Sequence, residues 1–173
     1  FTGVSHGTHT ITVRITDIGG NETIKSVSVN VVVTYTVTFN ANGGSGAPSS
    51  QTKTHGTNLT LSSTRPTRTG YTFLGWSTSS GATSATYSAG GTFDLNADTT
   101  LYAVWQANTY TITYNANGGS GAPAAQSYTY ATSGTINLSS TRPTRSGYTF
   151  LGWSLSSTAT SPSYSAGQAW SRS

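Results

Sequence analysis

The side chains that could do acid–base chemistry are few in this 173-residue chain. Its only carboxylates are Asp17, Glu22, Asp94 and Asp98. General acid–base catalysis needs two such groups held together in a pocket. Asp17 and Glu22 flank a predicted hairpin turn, and Asp94 and Asp98 stand beside a predicted strand. Local turn chemistry therefore explains all four.

Metal, nucleophile and phosphate sites are also poorly supported. The three histidines, His6, His9 and His55, have no further ligand at the spacing of a zinc site, and the chain contains no Cys. No G-x-S-x-G turn accompanies the many Ser and Thr residues. The segment Asn42–Gly46 lacks the Lys and the following helix of a phosphate loop. The sequence predicts a protein that is not an enzyme and has no catalytic, cofactor or metal site.

Four arginines recur in an R-P-T-R motif and are candidate ligand contacts: Arg65, Arg68, Arg142 and Arg145. They could contact anionic wall polymers or glycans. The alternative is that they are ordinary exposed arginines, because physiological salt screens isolated surface charges. The net charge of +4 is too thinly spread for a nucleic-acid interface.

The aromatic side chains have two readings, a sugar-stacking platform or the cores of small domains. Those concerned are Trp76, Trp105, Trp153, Tyr71 and Tyr148. We favour cores, because a small domain buries little else and large rings then matter most. Tyr128 and Tyr130 lie in a stretch of variable length, where we expect more exposure. They complete the set of candidate ligand contacts.

The composition favours β-structure. Charged residues make up only 7% of the chain, while 10 Tyr, 5 Phe and 4 Trp supply core-forming side chains. Thr and aromatic residues suit strands. No apolar run approaches the roughly 18 residues of a membrane span, so no membrane insertion is predicted for this segment.

Two blocks of sequence occur twice. YTVTFNANGGSGAP (35–48) returns as YTITYNANGGSGAP (110–123), and LSSTRPTRTGYTFLGWS (61–77) returns as LSSTRPTRSGYTFLGWS (138–154). Repetition at such a period is typical of tandem modules. The second copy is two residues longer between its blocks, within AAQSYTYATSGTIN, which predicts a surface loop there.

The repeated blocks alternate as strands do. Tyr35, Val37 and Phe39 share one face, a short aromatic strand runs from Tyr71 to Trp76, and TTLYAVW (99–105) alternates again. The NANGG segment ends the first strand, because Asn and Gly accept a positive φ. No helical period is sustained. The sequence predicts a mainly β protein.

At both ends of the chain, predicted strands lack the further strands with which they would pair. HTITVRIT and SVSVNVVV in residues 1–34 predict one hairpin, which alone is marginally stable and calls for further strands. At the other end Phe93 aligns with Trp170, so the second copy has no counterpart of Asp98–Trp105. We expect the second copy to be less protected than the first, or completed by a strand from another chain. The sequence indicates a segment of a longer protein.

The blocks YTVTFNANGG, GYTFLGWS and TLYAVW resemble the Listeria–Bacteroides repeat, also called the internalin B B-repeat. The resemblance implies small β-grasp-like (ubiquitin-like) modules in tandem, at 35–106 and 107–173, the second truncated at its C-terminus. Residues 1–34 resemble the last two strands of a bacterial immunoglobulin-like β-sandwich, whose final strands a D-x-x-G-N turn joins. We call 35–106 the first module and 107–173 the second module.

The resemblance implies a structural or adhesive stalk of an extracellular bacterial protein, either surface-bound or secreted. Its partners would be neighbouring domains of the chain and, in the alternative, a cell-wall polymer, host receptor or glycan bound by the modules themselves. Two other readings stay open: the accessory part of a secreted enzyme, and a filament whose subunits exchange strands. The sequence predicts no nucleic-acid partner.

Overall fold

The computed structural model describes residues 3–130 and 135–171, and all the regular structure there is β. The prediction of a mainly β fold is confirmed. The chain divides into two compact units, Phe1–Gln106 and Ala107–Ser173. The strands of the first unit are β1 (Gly7–Thr16), β2 (Glu22–Val31), β3 (Thr34–Asn40), β4 (Gln51–Thr54), β5 (Leu59–Thr60), β6 (Tyr71–Ser77), β7 (Thr92–Phe93) and β8 (Thr99–Ala107). Those of the second unit are β9 (Thr109–Ile112), β10 (Gln126–Thr129), β11 (Thr135–Asn137) and β12 (Ala169–Ser171).

The predicted N-terminal hairpin forms from β1 and β2, which pair antiparallel from Gly7↔Val31 to Thr16↔Glu22. Its turn is held by Asp17, whose Oδ1 accepts the amides of Gly19 at 2.8 Å and Asn21 at 2.9 Å. The side-chain and backbone hydrogen bonds from Asn21 hold the pKa of Asp17 below its usual range. Apolar residues on these strands stay exposed, among them Val13 at 53%. That the hairpin belongs to an immunoglobulin-like domain stays a prediction.

The first module is built on a four-stranded sheet in the order β4-β3-β8-β6. β3 and β4 pair antiparallel, as short connections allow, whereas β3 and β8 pair parallel from Val37↔Thr99 to Asn40↔Tyr102. The first and last strands of the module are therefore neighbours. A small sheet of β5 and β7 completes it. The β-grasp-like assignment stays a prediction.

Alternation along the strands brings one face of each into a common core. Val37 and Phe39 of β3, Trp76 of β6 and Leu101 and Ala103 of β8 are all less than 8% exposed. Phe39 meets Trp76 edge-on, with ring centroids 4.9 Å apart. Edge-to-face pairs of this kind stabilise a fold beyond the area that they bury.

The NANGG loop after β3 packs against β8 and against the segment around Thr67. Asn42 and Gly43 have φ values of 48° and 86°, the left-handed region that the sequence predicts for them. At Gly44 a Cβ would lie 2.6 Å from the Thr67 carbonyl oxygen and from the Trp105 ring, so no larger residue fits. Asn42 Nδ2 donates to the Ala103 carbonyl of β8 at 3.0 Å.

The second module repeats this loop but not the sheet. β9 pairs with β10 and β11 with β12, each pair as a separate two-stranded sheet. Residues 148–154, the copy of β6, form only isolated bridges, one of them from Trp153 to Tyr164. The expected second aromatic strand is therefore absent from the described residues. Its partner in the first module is β8, and the described part of the second module holds no strand in that position.

The prediction of a surface loop at 124–137 is wrong for part of that range. Gln126–Thr129 forms β10 and Thr135–Asn137 forms β11, and residues 131–134 lie outside the described residues. Gln126 and Tyr128 share one face of β10 and Ser127 and Thr129 the other, so no run of aliphatic residues marked a buried face in the sequence.

Candidate functional site

The second arginine of each R-P-T-R motif packs on the module that carries it. The Arg68 guanidinium carbon lies 3.9 Å from the centroid of the Tyr71 ring, and Arg145 lies 4.1 Å from that of Tyr148. Such cation–π contacts contribute about 0.5–1 kcal/mol at exposed sites. Arg145 also donates to the Asn117 carbonyl at 3.2 Å. These two arginines hold the NANGG loops, a role that the sequence did not suggest.

The first arginine of each motif points to solvent. Arg65 and Arg142 are exposed, and each precedes a buried proline. Thr67 fixes the first motif to the loop by two backbone hydrogen bonds with Ser45, both 2.9 Å, and Thr144 bonds Ser120 in the same way. Arg145 is exposed as well, and the role of all four arginines as ligand contacts stays a prediction.

The tryptophans of the repeated block lie in cores. Trp76 is fully buried and Trp153 is 9% exposed. Phe73 and Phe150 meet them edge-on, with centroids 5.1 Å and 4.9 Å away. Trp105 is half-buried, and its indole N–H donates to the Ala41 carbonyl at 3.0 Å. Trp76 offers no open face for a sugar, whereas Trp153 lines a groove in the second module and Tyr148 is 67% exposed.

The tyrosines expected to be exposed are half-buried instead. Tyr128 lies on β10, stacked on Tyr110 with centroids 5.4 Å apart and edge-on to Trp170 at 5.7 Å. Tyr130 lies 6.5 Å from Tyr110. The expectation of exposure failed because β10 turns these rings onto neighbouring aromatics. Their role as ligand contacts stays a prediction.

Local turn chemistry does not explain Asp98, whose hydrogen-bond partner lies 62 residues away. Asp98 Oδ1 accepts the Thr36 amide at 2.7 Å and so ties the start of β8 to β3. His55 Nδ1 shares a hydrogen bond of 2.8 Å with the Tyr35 hydroxyl, and the His6 ring lies 5.1 Å from that of His55. Among residues 3–130 and 135–171, no three His, Cys, Asp or Glu side chains gather as metal ligands.

A groove of about 610 Å³ opens in the second module. One wall is formed by residues 112–117 and the other by residues 150–157, with Trp153 and Trp170 among the lining side chains. Every lining residue is uncharged.

Comparison with known proteins decides the family. The Listeria-Bacteroides repeat domain matches the chain twice in tandem, at residues 35–104 and 110–172. The chain belongs to the Listeria–Bacteroides repeat family. Repeats of this family are found in bacterial surface proteins. No helix of membrane-spanning length and hydropathy occurs in the described residues.

A relative from Evansella cellulosilytica carries the name of a Gly-rich membrane protein and is 35% identical over 85 residues. The alignment covers 49% of this chain and 9% of that protein, so the chain is similar to a small part of a much larger molecule. No solved structure matches the chain significantly.

Sequence reasoning missed one buried charge in the first repeat. Lys53 is 1% exposed, and its Nζ donates to the carbonyls of Thr54 at 3.2 Å and Thr57 at 3.0 Å, and to Asn96 Oδ1 at 2.9 Å. Buried charges persist when hydrogen bonds satisfy them. Comparison of the two repeats could have shown that this position is special. Lys53 pairs with Tyr35 in the first repeat, and at the equivalent place in the second repeat Tyr128 pairs with Tyr110.

Changing Asn96 to Ala should destabilise the first repeat by about 1.5–3 kcal/mol, because a hydrogen bond to a buried charged group is lost. Urea unfolding followed by Trp fluorescence measures this. Asn96 Oδ1 also accepts the Gly56 amide at 3.0 Å, so the control is the same change in a Lys53→Tyr background. We expect a smaller loss there. An equal loss of stability in both backgrounds would show that the effect comes from the hydrogen bond between Asn96 and the Gly56 amide.

Proposed function

We propose that this segment is a non-catalytic spacer, a pair of repeats that forms part of the stalk of an extracellular bacterial protein. The observation that carries the proposal is the burial of Trp76 and Trp153, at 0% and 9% exposure. A glycan-binding surface would present such rings to solvent, whereas these two pack in the core of their own module.

The loop contacts support the same proposal. Each module uses the same internal fastening, in which an arginine covers a tyrosine and the adjoining threonine bonds the NANGG loop. Side chains with such a role stabilise the module. Tandem copies of a self-contained unit add length to a protein with each unit.

Binding of an anionic wall polymer or glycan is the second candidate. It is favoured by Arg65 and Arg142, which stand exposed at equivalent positions of the two repeats. Two weak contacts on one chain can combine by avidity when their ligand spans both.

An array of glycans and teichoic-type polymers probed with the whole chain separates the two functions. For a spacer we expect no binding above that of the Arg65→Gln, Arg142→Gln variant, which removes the first charge of each R-P-T-R motif. Binding that this variant loses, while Arg14→Gln retains it, would instead establish recognition by the R-P-T-R motifs. Arg14 is a suitable control because it is exposed on the hairpin and pairs with Glu22 at 3.4 Å.

A further inference from the structure

Val33 joins the β1–β2 hairpin to the first module and is held at both of its backbone polar atoms. It lies between the end of β2 at Val31 and the start of β3 at Thr34. Its amide donates to Nδ1 of His6 at 3.2 Å, and its carbonyl accepts the amide of His55 at 2.9 Å. His6 comes just before β1, and His55 follows β4. The joint is therefore held from the hairpin and from the module at once.

The two histidine rings also contact each other across this joint. Their centroids are 5.1 Å apart and their planes are tilted by 31°. On the module side, Nδ1 of His55 shares a hydrogen bond of 2.8 Å with the Tyr35 hydroxyl. The ring of His55 is thereby fixed to β3, and the ring of His6 lies against it.

The two hydrogen bonds respond differently to a proton. The bond from the Val33 amide needs the lone pair on Nδ1 of His6, so the hydrogen of the neutral ring is on Nε2. A proton on Nδ1 removes that acceptor, and protonated His6 cannot keep the bond. His55 can keep its own bond when protonated, because the Tyr35 hydroxyl accepts as well as donates. The pair also suits a metal ion poorly, since neither nitrogen of His6 has a spare lone pair.

The surrounding charges do not offset a positive charge on this pair. Neither histidine has a carboxylate partner among residues 3–130 and 135–171, where the one ion pair joins Arg14 to Glu22. Lys53, which stands opposite Tyr35, adds a buried positive group on the module side. The other titratable groups of the adjoining elements are engaged elsewhere: His9 with the Ser5 carbonyl at 2.8 Å, Asp98 with the Thr36 amide at 2.7 Å, and Arg14, Asp17, Glu22 and Lys25 toward the hairpin turn.

We propose that His6 and His55 form a pH-sensitive lock on the joint between the hairpin and the first module. The closed lock needs a neutral His6, whereas the open joint accepts the proton. Falling pH therefore favours the open joint, across the range from pH 8 to pH 5 in which imidazoles gain their charge. When both rings are charged, their mutual repulsion acts in the same direction. The lock determines how freely the hairpin moves against the module and does not depend on the spacer role.

Two spin labels on the whole chain test this directly, because the chain has no Cys of its own. Ile18→Cys places one label at the fully exposed tip of the hairpin, and Gly81→Cys places the other in the first module, where a Cβ meets nothing within 4 Å. Double electron–electron resonance then gives the distances between the labels at pH 7.5 and pH 5.0. We expect a narrow distribution at pH 7.5. At pH 5.0 the ratio of open to closed joints should rise roughly fivefold, the effect of losing one neutral hydrogen bond.

Three variants identify the group responsible. In His6→Asn the amide oxygen replaces Nδ1 as an acceptor that does not titrate, and we expect a narrow distribution at both pH values. In His6→Ala no acceptor remains, so the distribution should be broad at both. His9→Asn is the matched control, since His9 lies on the same strand and bonds only the Ser5 carbonyl, and it should keep the response of the unchanged chain.

Several results would overturn the lock. One is an equal distribution at pH 7.5 and pH 5.0 in the chain that carries only the two labels. Another is a pH response that persists in His6→Ala or disappears in His9→Asn, because the response would then come from other groups. The third is broadening that accompanies unfolding of the first module, which fluorescence of the buried Trp76 would reveal.

Discussion

Replacing Trp76 with Ala should destabilise the first module by about 3–5 kcal/mol. Its ring is fully buried and meets both Phe39 and Phe73, at 4.9 and 5.1 Å, so truncation leaves a large cavity. Domains are stable by only about 5–15 kcal/mol, and a small module should lie near the lower end. We therefore expect the first module to be largely unfolded at 37 °C, as circular dichroism and thermal melting would show.

Leu74→Ala is the matched control for this change. Leu74 lies on the same strand but is 42% exposed, and we expect its loss to shift stability by a fraction of that amount. If Trp76→Ala melts like the unchanged protein, and solute quenches the Trp fluorescence fully, the ring belongs to a binding surface and the spacer proposal fails.

The second large effect is a difference in amide exchange between the modules. The amides of Trp76 and Trp153 make the same hydrogen bond, each 2.7 Å long, to the carbonyls of Tyr87 and Tyr164. This hydrogen bond therefore gives no reason for the two amides to exchange at different rates. Only the first module has the buried side chains of β8, and exchange from a core amide reports the free energy of opening. We expect Trp153 to exchange faster by about 10- to 100-fold, because each tenfold corresponds to about 1.4 kcal/mol.

Joining a copy of Asp94–Trp105 after Ser173 should bring the two rates together. The control is the same extension with Asp at the position of Leu101, which should leave Trp153 fast. Equal rates in the unextended, monomeric protein would contradict the expectation that the second module is less protected than the first. They would show that β9–β12 form a complete fold.

The sequence predicts the first module well because each of its strands has a clear signature. Val37, Phe39 and Leu101 fall on alternate positions, and the structure buries all three. The burial of Trp76 could also be foreseen, from the few large side chains that a module of this size can place in its core. The parallel pairing of β3 with β8 could not, because it joins residues about 60 positions apart and no local pattern encodes it.

The candidate site was predicted less well. Exposure and contact depend on packing between distant segments, so Arg65 and Arg68 look alike in the sequence although only Arg68 covers a ring. Lys53 was hidden for the same reason, since its acceptor Asn96 lies 43 residues away. The sequence also did not show that only one of the two aromatic blocks forms a strand. The same residues, Tyr-Thr-Phe-Leu-Gly-Trp-Ser, form a strand at 71–77 and none at 148–154. The difference arises because the first copy pairs with the neighbouring strand β8.

The parallel pairing of β3 and β8 determines how the first module would bear tension. The chain enters the module at Thr34 and leaves it at Ala107, and the two strands run in the same direction. A pull on these two points would slide one strand along the other and load the ladder from Val37 to Asn40 at once. A hairpin such as β1–β2, pulled at its open end, would yield one pair at a time. The ladder of β3 and β8 would then break as a whole, so such a pull should need more force to unfold the first module than to open the β1–β2 hairpin.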